Sequence, residues 1–98
     1  MSDRELLELA AKAAGYEYAK HGGYIVVDGI PGNWNPLSDD GDALRLAVKL
    51  EIDLWFGCGG LSAHGLAMDI EEDYGRDPYA ATRRAIVRAA AEIGKAMP

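Results

Sequence analysis

Carboxylates are concentrated in one turn-rich segment, at Asp39, Asp40 and Asp42, shortly after Trp34 and Asn35. Carboxylate and amide oxygens this close in sequence are ligands that a hard divalent cation prefers. The spacing does not match the calcium-loop pattern D-x-[DN]-x-[DN]-G, and a helix with Asp39 as N-cap and Asp42 at its third position accounts for two of the three aspartates. We therefore predict a helix start without a metal. The candidate contacts for a ligand or partner in this segment are Trp34, Asn35, Asp39 and Asp40.

A thiol and an imidazole, Cys58 and His64, lie in one glycine-rich segment, Gly57 to Gly65. A thiolate beside an imidazole is the arrangement that activates cysteine nucleophiles. Catalytic groups need fixed geometry, whereas this segment is predicted to be a hairpin turn, and no third residue is evident that would orient the histidine. The glycines also fail as a phosphate-binding loop, because a strand rather than a helix is predicted to follow them. We therefore predict no catalytic residue and no cofactor.

The basic side chains Arg83, Arg84 and Arg88 form one patch. Such a patch could bind phosphate or nucleic acid, but the formal net charge of -6 would repel a phosphate backbone. Ion pairs with carboxylates of the same protein, at residues 39–42 or 71–73, are the favoured interpretation. Arg84 and Arg88 stay candidate contacts, because an alternative hypothesis brings them into one pocket with the acidic segment.

The chain carries two tryptophans and five tyrosines, which are many large rings for a small domain. Some must lie near the surface, and aromatic residues are enriched at the centres of protein interfaces. Trp55 is predicted on the polar face of a strand beside Asp53, so it is the best single candidate for a partner contact. The alternative is that a helix packs over Trp55.

Three helices are predicted to position these residues. Apolar residues at helical spacing predict the first helix from Ser2 or Asp3 to Ala14. The second follows Asp39 and is apolar on most of its circumference, which predicts a helix at the centre of the core or between the core and a second subunit. The third begins with Asp77 as N-cap and runs from Pro78 to about Ala96. Its predicted buried stripe consists of Tyr79, Ile86, Ala90, Ile93 and Met97.

Alternating apolar and polar residues predict four strands in two hairpins. The first hairpin joins Tyr16–Tyr18 to Tyr24–Asp28 through a turn at residues 21–23, and the second joins Ile52–Phe56 to Leu66–Ile70 through the glycine-rich segment. Two prolines in the segment Gly29–Leu37 predict a loop that is neither strand nor helix. The element order is α-β-β-α-β-β-α. The predicted fold class is α+β, with an antiparallel sheet of about four strands packed against three helices.

Length and composition limit the class of protein. At 98 residues the chain forms one domain, residues 1–98, which buries roughly 60–65% of the surface of its unfolded chain. Its first residues carry charges where a signal peptide needs an apolar stretch, and no apolar run approaches the ~20 residues that span a bilayer. The single cysteine, Cys58, cannot form an intramolecular disulfide. These features predict a cytoplasmic protein that does not contact membranes.

Three stretches resemble one family of small bacteriophage and prophage proteins, the phage α-β-α sandwich domain. They are MSDRELLELAAKAAG at the start, WNPLSDDGDALRLAVKL from Trp34, and GRDPYAATRRAIVRAAAEIG from Gly75. The resemblance spans nearly the whole chain and implies a helix-sheet-helix architecture, a phage or prophage origin and expression in a bacterial cytoplasm. It implies no activity and no binding residue.

These observations predict a non-enzymatic phage or prophage accessory protein that acts by binding, as a homodimer or with a phage or host protein. The absence of an ordered catalytic constellation and the surplus of aromatic and apolar residues motivate this prediction. The alternative is a small nucleotide- or metabolite-binding protein, or a hydrolase of such a ligand. That alternative requires Asp39, Asp40, Arg84 and Arg88 to converge on one pocket. Nucleic acid is not an expected partner.

Overall fold

The described residues form an α+β fold with three helices and two separate three-stranded antiparallel sheets. The computed structural model describes residues 1–18, 24–27, 30–65 and 68–98. In chain order the elements are α1 (Asp3–Ala14), β1 (Glu17–Tyr18), β2 (Tyr24–Val27), β3 (Ile30–Asn33), α2 (Asp40–Lys49), β4 (Asp53–Phe56), β5 (Gly60–Gly65), β6 (Met68–Asp73) and α3 (Pro78–Ala96).

The helix boundaries follow local capping. The Ser2 hydroxyl accepts from the Glu5 N–H at the start of α1, and Gly15 ends the helix with a φ of 78°, a conformation that glycine adopts without strain. The Asp39 carboxylate caps α2 and the Asp77 carboxylate caps α3. All three helix starts predicted from the sequence are therefore confirmed.

The first sheet has the order β1-β2-β3, and it corrects one prediction. β1 and β2 pair antiparallel as predicted, while the turn predicted between them, at residues 21–23, lies outside the described residues. The segment Gly29–Leu37 is wrongly predicted as a loop, because β3 lies within it and pairs with β2. Pro31 is tolerated there since β3 is an edge strand, where one side of the backbone needs no hydrogen-bond partner.

The second sheet has the order β4-β5-β6 and corrects a second prediction. The segment Gly57–Gly65 is predicted as a turn, but most of it forms β5, the central strand. Leu61 and Ala63 are buried and alternate with Ser62 and His64. Glycine has little strand preference, so the glycines that flank this short alternation conceal it in the sequence. The single four-stranded sheet of the prediction is thus two sheets of three strands.

The third helix, rather than the second, is the centre of the core. α3 contacts α1, α2, β5 and β6. Of the two settings predicted for α2, the centre of the core is wrong, because Leu44 and Val48 are largely exposed; a position between the core and a second subunit stays a prediction. In α3, Ile86 and Ala90 are buried as predicted, whereas Tyr79 and Met97 are exposed.

α1 and α3 pack side by side in parallel. Asp3 pairs with Arg84 near the start of α1, and Lys12 donates to the Met97 carbonyl near its end. Small residues line the contact, including Ala10 and Ala11 of α1, which have no exposed surface. Small side chains let two helix backbones approach closely. At Gly94 a Cβ atom would lie 2.0 Å from the Leu9 carbonyl oxygen.

We expect Gly94→Ala to destabilise the protein by about 1–3 kcal/mol, because the added methyl group forces the two helices apart. In an uncrowded helix the same change is stabilising by up to about 1 kcal/mol, so the sign of the effect is diagnostic. Urea unfolding measures it, and Lys95→Ala at the exposed neighbouring position is the control. An equally or more stable Gly94→Ala variant would contradict the close helix contact.

Candidate functional site

The acidic segment is organised by its own hydrogen bonds. The Asp39 carboxylate accepts from the Asp42 N–H at 2.8 Å, and the Asp42 carboxylate accepts from the Asn35 N–H at 2.9 Å. The Asn35 side-chain oxygen accepts from the Leu37 N–H at 3.0 Å. Asp42 also pairs with Arg45 at 2.8 Å. These hydrogen bonds thus hold the loop against the start of α2, as the capping interpretation predicted.

Trp34 belongs to the core rather than to an exposed site. It is 7% exposed, and its ring meets those of Tyr16 and Tyr18 edge-on at centroid distances of 5.9 and 6.5 Å. Edge-to-face contacts at these distances are favourable between aromatic rings. Trp34, Asn35 and Asp39 do line one shallow cleft, but most of the tryptophan surface is already covered.

Each arginine of the basic patch pairs with a carboxylate of the same chain, as predicted, although the partner of Arg84 lies outside the two predicted segments, 39–42 and 71–73. Arg83 pairs with Asp40 at 2.6 Å, Arg84 pairs with Asp3 at 2.9 Å, and Arg88 pairs with Glu72. The side-chain nitrogen Nε of Arg83 also donates to the Leu37 carbonyl. Asp40, the aspartate that capping does not require, therefore fixes α2 to α3. The arginines are divided among three different partners.

The second candidate surface is an apolar groove between α2, β4 and the start of α3, with a volume of 560 Å³. Ala43, Leu54 and Ile86 line its inner part. Three large apolar side chains line its rim and are largely exposed: Leu44, Phe56 and Tyr79. Large exposed apolar side chains are ordinary when scattered but indicate contact sites when they cluster. We call these six residues the apolar groove.

The second sheet presents an outer face that no described helix covers. Its inner face packs against α3 through Leu61 and Ala63. The strand register places the alternate side chains on the opposite, outer face, namely Asp53, Trp55, Ser62, His64, Asp69 and Glu71. Trp55 is 67% exposed. The alternative prediction, that a helix packs over Trp55, is therefore wrong. The contact between Trp55 and a partner stays a prediction.

A chain of hydrogen bonds joins Ser62, His64 and Asp69 on this outer face. The Asp69 carboxylate lies 2.5 Å from His64 Nδ1, and Ser62 Oγ lies 3.0 Å from His64 Nε2. An ionised carboxylate only accepts hydrogen bonds, so the pair places a proton on Nδ1. In the neutral imidazole Nε2 then has a lone pair, which accepts from the Ser62 hydroxyl.

Sequence reasoning missed Ser62 and Asp69 as hydrogen-bond partners of His64, and it considered only Cys58 beside this histidine before rejecting that pair. The hydrogen-bond partners of His64 are Ser62 and Asp69, whereas Cys58 is exposed in the connection between β4 and β5. The residue that orients the histidine, judged absent from the sequence, is Asp69. The alternation of Leu61 and Ala63 with Ser62 and His64 was the signal that could have placed the serine and histidine on one strand face.

The described residues contain neither a candidate metal site nor a membrane-spanning helix, and no similar protein is found. These residues contain no group of three or more histidine, cysteine, aspartate or glutamate residues that could hold a metal ion. No helix among them is long and apolar enough to cross a membrane. No family model matches the chain, and comparisons with curated proteins and with solved structures likewise find no match.

Proposed function

We propose that this chain is a small phage or prophage accessory protein of the bacterial cytoplasm that acts by binding, as a homodimer joined through the apolar groove. The observation that supports the proposal is the convergence of Leu44, Phe56 and Tyr79, all largely exposed, on one groove. The phage origin rests on the resemblance of the three sequence stretches. Phage genes beside this one would support that origin, and a gene neighbourhood without them would contradict it.

Shape favours a second copy as the occupant. The groove combines protruding side chains on its rim with a concave apolar interior. In a two-fold dimer each copy presents the same patch, so the protruding rings of one copy can enter the groove of the other. Such a contact would bury apolar surface on both copies at once.

Charge also favours the groove over the outer face of the second sheet. The charged groups at the groove are Asp40 and Arg83, which already neutralise each other. The outer face carries Asp53, Asp69 and Glu71, and a two-fold contact there would bring carboxylates against carboxylates. A phage or host protein with an apolar ridge is the alternative occupant of the groove.

The alternative, a nucleotide- or metabolite-binding protein, receives no support from the geometry. It requires Asp39, Asp40, Arg84 and Arg88 to converge on one pocket. Asp40 lies beside the apolar groove and pairs with Arg83, while Arg84 and Arg88 pair with Asp3 and Glu72. The two arginines are therefore engaged elsewhere, and we do not propose this function.

Sedimentation analysis at tens of micromolar protein tests the dimer. We expect a mass near twice the 10.5 kDa of one chain. Phe56→Ser removes a groove ring from both copies, at about 2 kcal/mol each, so the dissociation constant should rise about 1000-fold. Trp55→Ser is a matched control, because Trp55 is the preceding residue of β4 and faces the other side of the sheet.

The control should remain as dimeric as the original protein. A clean monomer for the unmodified chain would overturn the homodimer. Equal dissociation by Phe56→Ser and Trp55→Ser would show that the groove is not the contact. Unchanged dimerisation in Phe56→Ser would have the same meaning.

A further inference from the structure

We propose that Ser62 is a nucleophile for acyl transfer from carboxylic esters, with His64 as its general base and Asp69 as the residue that positions His64. The proposal stands on the hydrogen-bond chain from Asp69 to His64 Nδ1 and from His64 Nε2 to Ser62 Oγ. A serine hydroxyl becomes reactive when a base within hydrogen-bond reach can take its proton. A carboxylate on the far nitrogen of the histidine keeps the accepting nitrogen directed at the serine.

The strands hold the three groups in place. Ser62 and His64 alternate on β5, the central strand, with Leu61 and Ala63, which are buried on the inner face. Asp69 lies directly opposite His64 in the strand register. The Trp55 ring meets the imidazole edge-on at a centroid distance of 5.8 Å. Groups mounted on paired strands keep a more constant geometry than groups on loops.

Space for a substrate lies beside Ser62. A cleft of 390 Å³ is lined by Trp55, Gly60, Ser62 and Glu71, among other residues. Trp55 and Glu71 lie directly across from Ser62 on the two neighbouring strands. The exposed indole offers an apolar surface for the acyl group of an ester.

Charge selects the class of ester. The strands β4, β5 and β6 contain no lysine or arginine, and the carboxylates of Asp53, Asp69 and Glu71 share the outer face with Ser62. These carboxylates would repel a negatively charged acyl group bound beside Ser62. The site therefore fits an uncharged or cationic ester with an apolar or aromatic acyl group.

The reaction balances with water as the only other reactant. Ser62 Oγ bonds to the ester carbonyl carbon and its proton passes to His64 Nε2. The bond between that carbon and the ester oxygen breaks, and the leaving alcohol takes the proton from His64. Water then attacks the acyl-serine and gives one proton to His64, which returns it to Ser62 Oγ as the carboxylic acid leaves.

Turnover is expected to be slow. Backbone N–H groups of paired strands lie in the plane of the sheet, so they do not point toward an oxyanion on its outer face. Loss of one oxyanion donor lowers kcat by about 10²–10³ in enzymes that have one. Covalent capture of Ser62 is therefore a more sensitive measurement than steady-state hydrolysis.

An uncharged alkyl fluorophosphonate tests the nucleophile, because its phosphorus bonds to an activated serine oxygen as fluoride leaves. We expect one adduct per chain by intact mass, located at Ser62 by peptide mass analysis. Ser62→Ala and His64→Gln should abolish the adduct, while Ser38→Ala, which removes an exposed loop serine, should keep it. No adduct on the folded protein, or equal labelling of Ser62→Ala, would overturn the proposal.

Asp69 needs a separate test, because it is proposed to position His64 and not to contact the substrate. Long-range ¹H–¹⁵N NMR should show the His64 proton on Nδ1 in the unmodified protein. In Asp69→Asn the amide can donate to Nδ1, so the proton should move toward Nε2 and labelling should fall by at least about tenfold. A labelling rate unchanged in Asp69→Asn would remove Asp69 from the proposal.

Substrate charge is tested with two 4-nitrophenyl esters, one with an uncharged acyl group and one whose acyl group ends in a carboxylate. We expect Ser62-dependent release of nitrophenol to be at least about tenfold faster for the uncharged ester, with a difference that shrinks at high salt. Equal rates, or faster release from the anionic ester, would contradict the assigned substrate class.

Discussion

Trp34→Ala should lower the free energy of unfolding by about 3–5 kcal/mol. The indole is 7% exposed and its contacts with Tyr16 and Tyr18 connect α2's leading loop to the segment after α1. Each edge-to-face contact adds about 0.5–1.5 kcal/mol to the stabilisation from burial. Single domains are stable by about 5–15 kcal/mol, so the variant should lose a large part of its stability. Urea unfolding at a fixed protein concentration measures the change.

The second tryptophan provides a matched control. Trp55 is 67% exposed on the outer face of the second sheet, and Trp55→Ala should change stability by no more than about 0.5 kcal/mol. The two variants also separate the fluorescence of the two rings, since only Trp34 should emit from an apolar environment. Similar losses of stability in both variants would contradict the placement of Trp34 in the core.

Leu46→Ala should destabilise the protein by about 2–5 kcal/mol. Leu46 is 1% exposed and is one of the three buried residues of α2, with Ala43 and Ala47. The two alanines are small, so Leu46 supplies most of the side-chain volume that α2 adds to the core. Its truncation leaves a cavity that the neighbouring backbone fills only in part. Thermal unfolding should show a fall of about 4–8 °C for each kcal/mol.

Val48 lies on the same helix and tests whether the effect is specific to the buried face. It is largely exposed, so Val48→Ala should stay within about 0.5 kcal/mol of the original protein. A large effect at Val48 with a small one at Leu46 would reverse the orientation of α2. That result would also remove Leu44 from the apolar groove.

The helices could be predicted from the sequence because their signals are local. Ser2, Asp39 and Asp77 each cap a helix through a backbone N–H only two or three residues away. Strands depend on partners that are distant in the chain, and Pro31 and Gly60 have poor intrinsic strand preference. Both residues nevertheless lie in strands, because the neighbouring strands pair with them in register.

The candidate sites could likewise be predicted from the sequence only in part. Pairing of the arginines with the chain's own carboxylates could be predicted from net charge, but the individual partners could not, because Arg84 and Asp3 are brought together by the packing of α1 on α3. The hydrogen bonds that join Ser62, His64 and Asp69 could not be predicted, because they depend on the register of β5 and β6. Burial separates Trp34 from Trp55, although both tryptophans were predicted as contact residues, with Trp55 as the best single candidate.

The parallel packing of α1 on α3 has a consequence for synthesis. α1 is synthesised before α3, yet the alanine surface of α1 is covered by α3, on which the second sheet also packs. A nascent chain that ends before Pro78 contains α1, α2 and the strands but lacks α3, the helix on which both other helices and the second sheet pack. Contacts between such distant segments form slowly. Folding on the ribosome must therefore wait for α3, and until then the apolar side of α1 is open to chaperones.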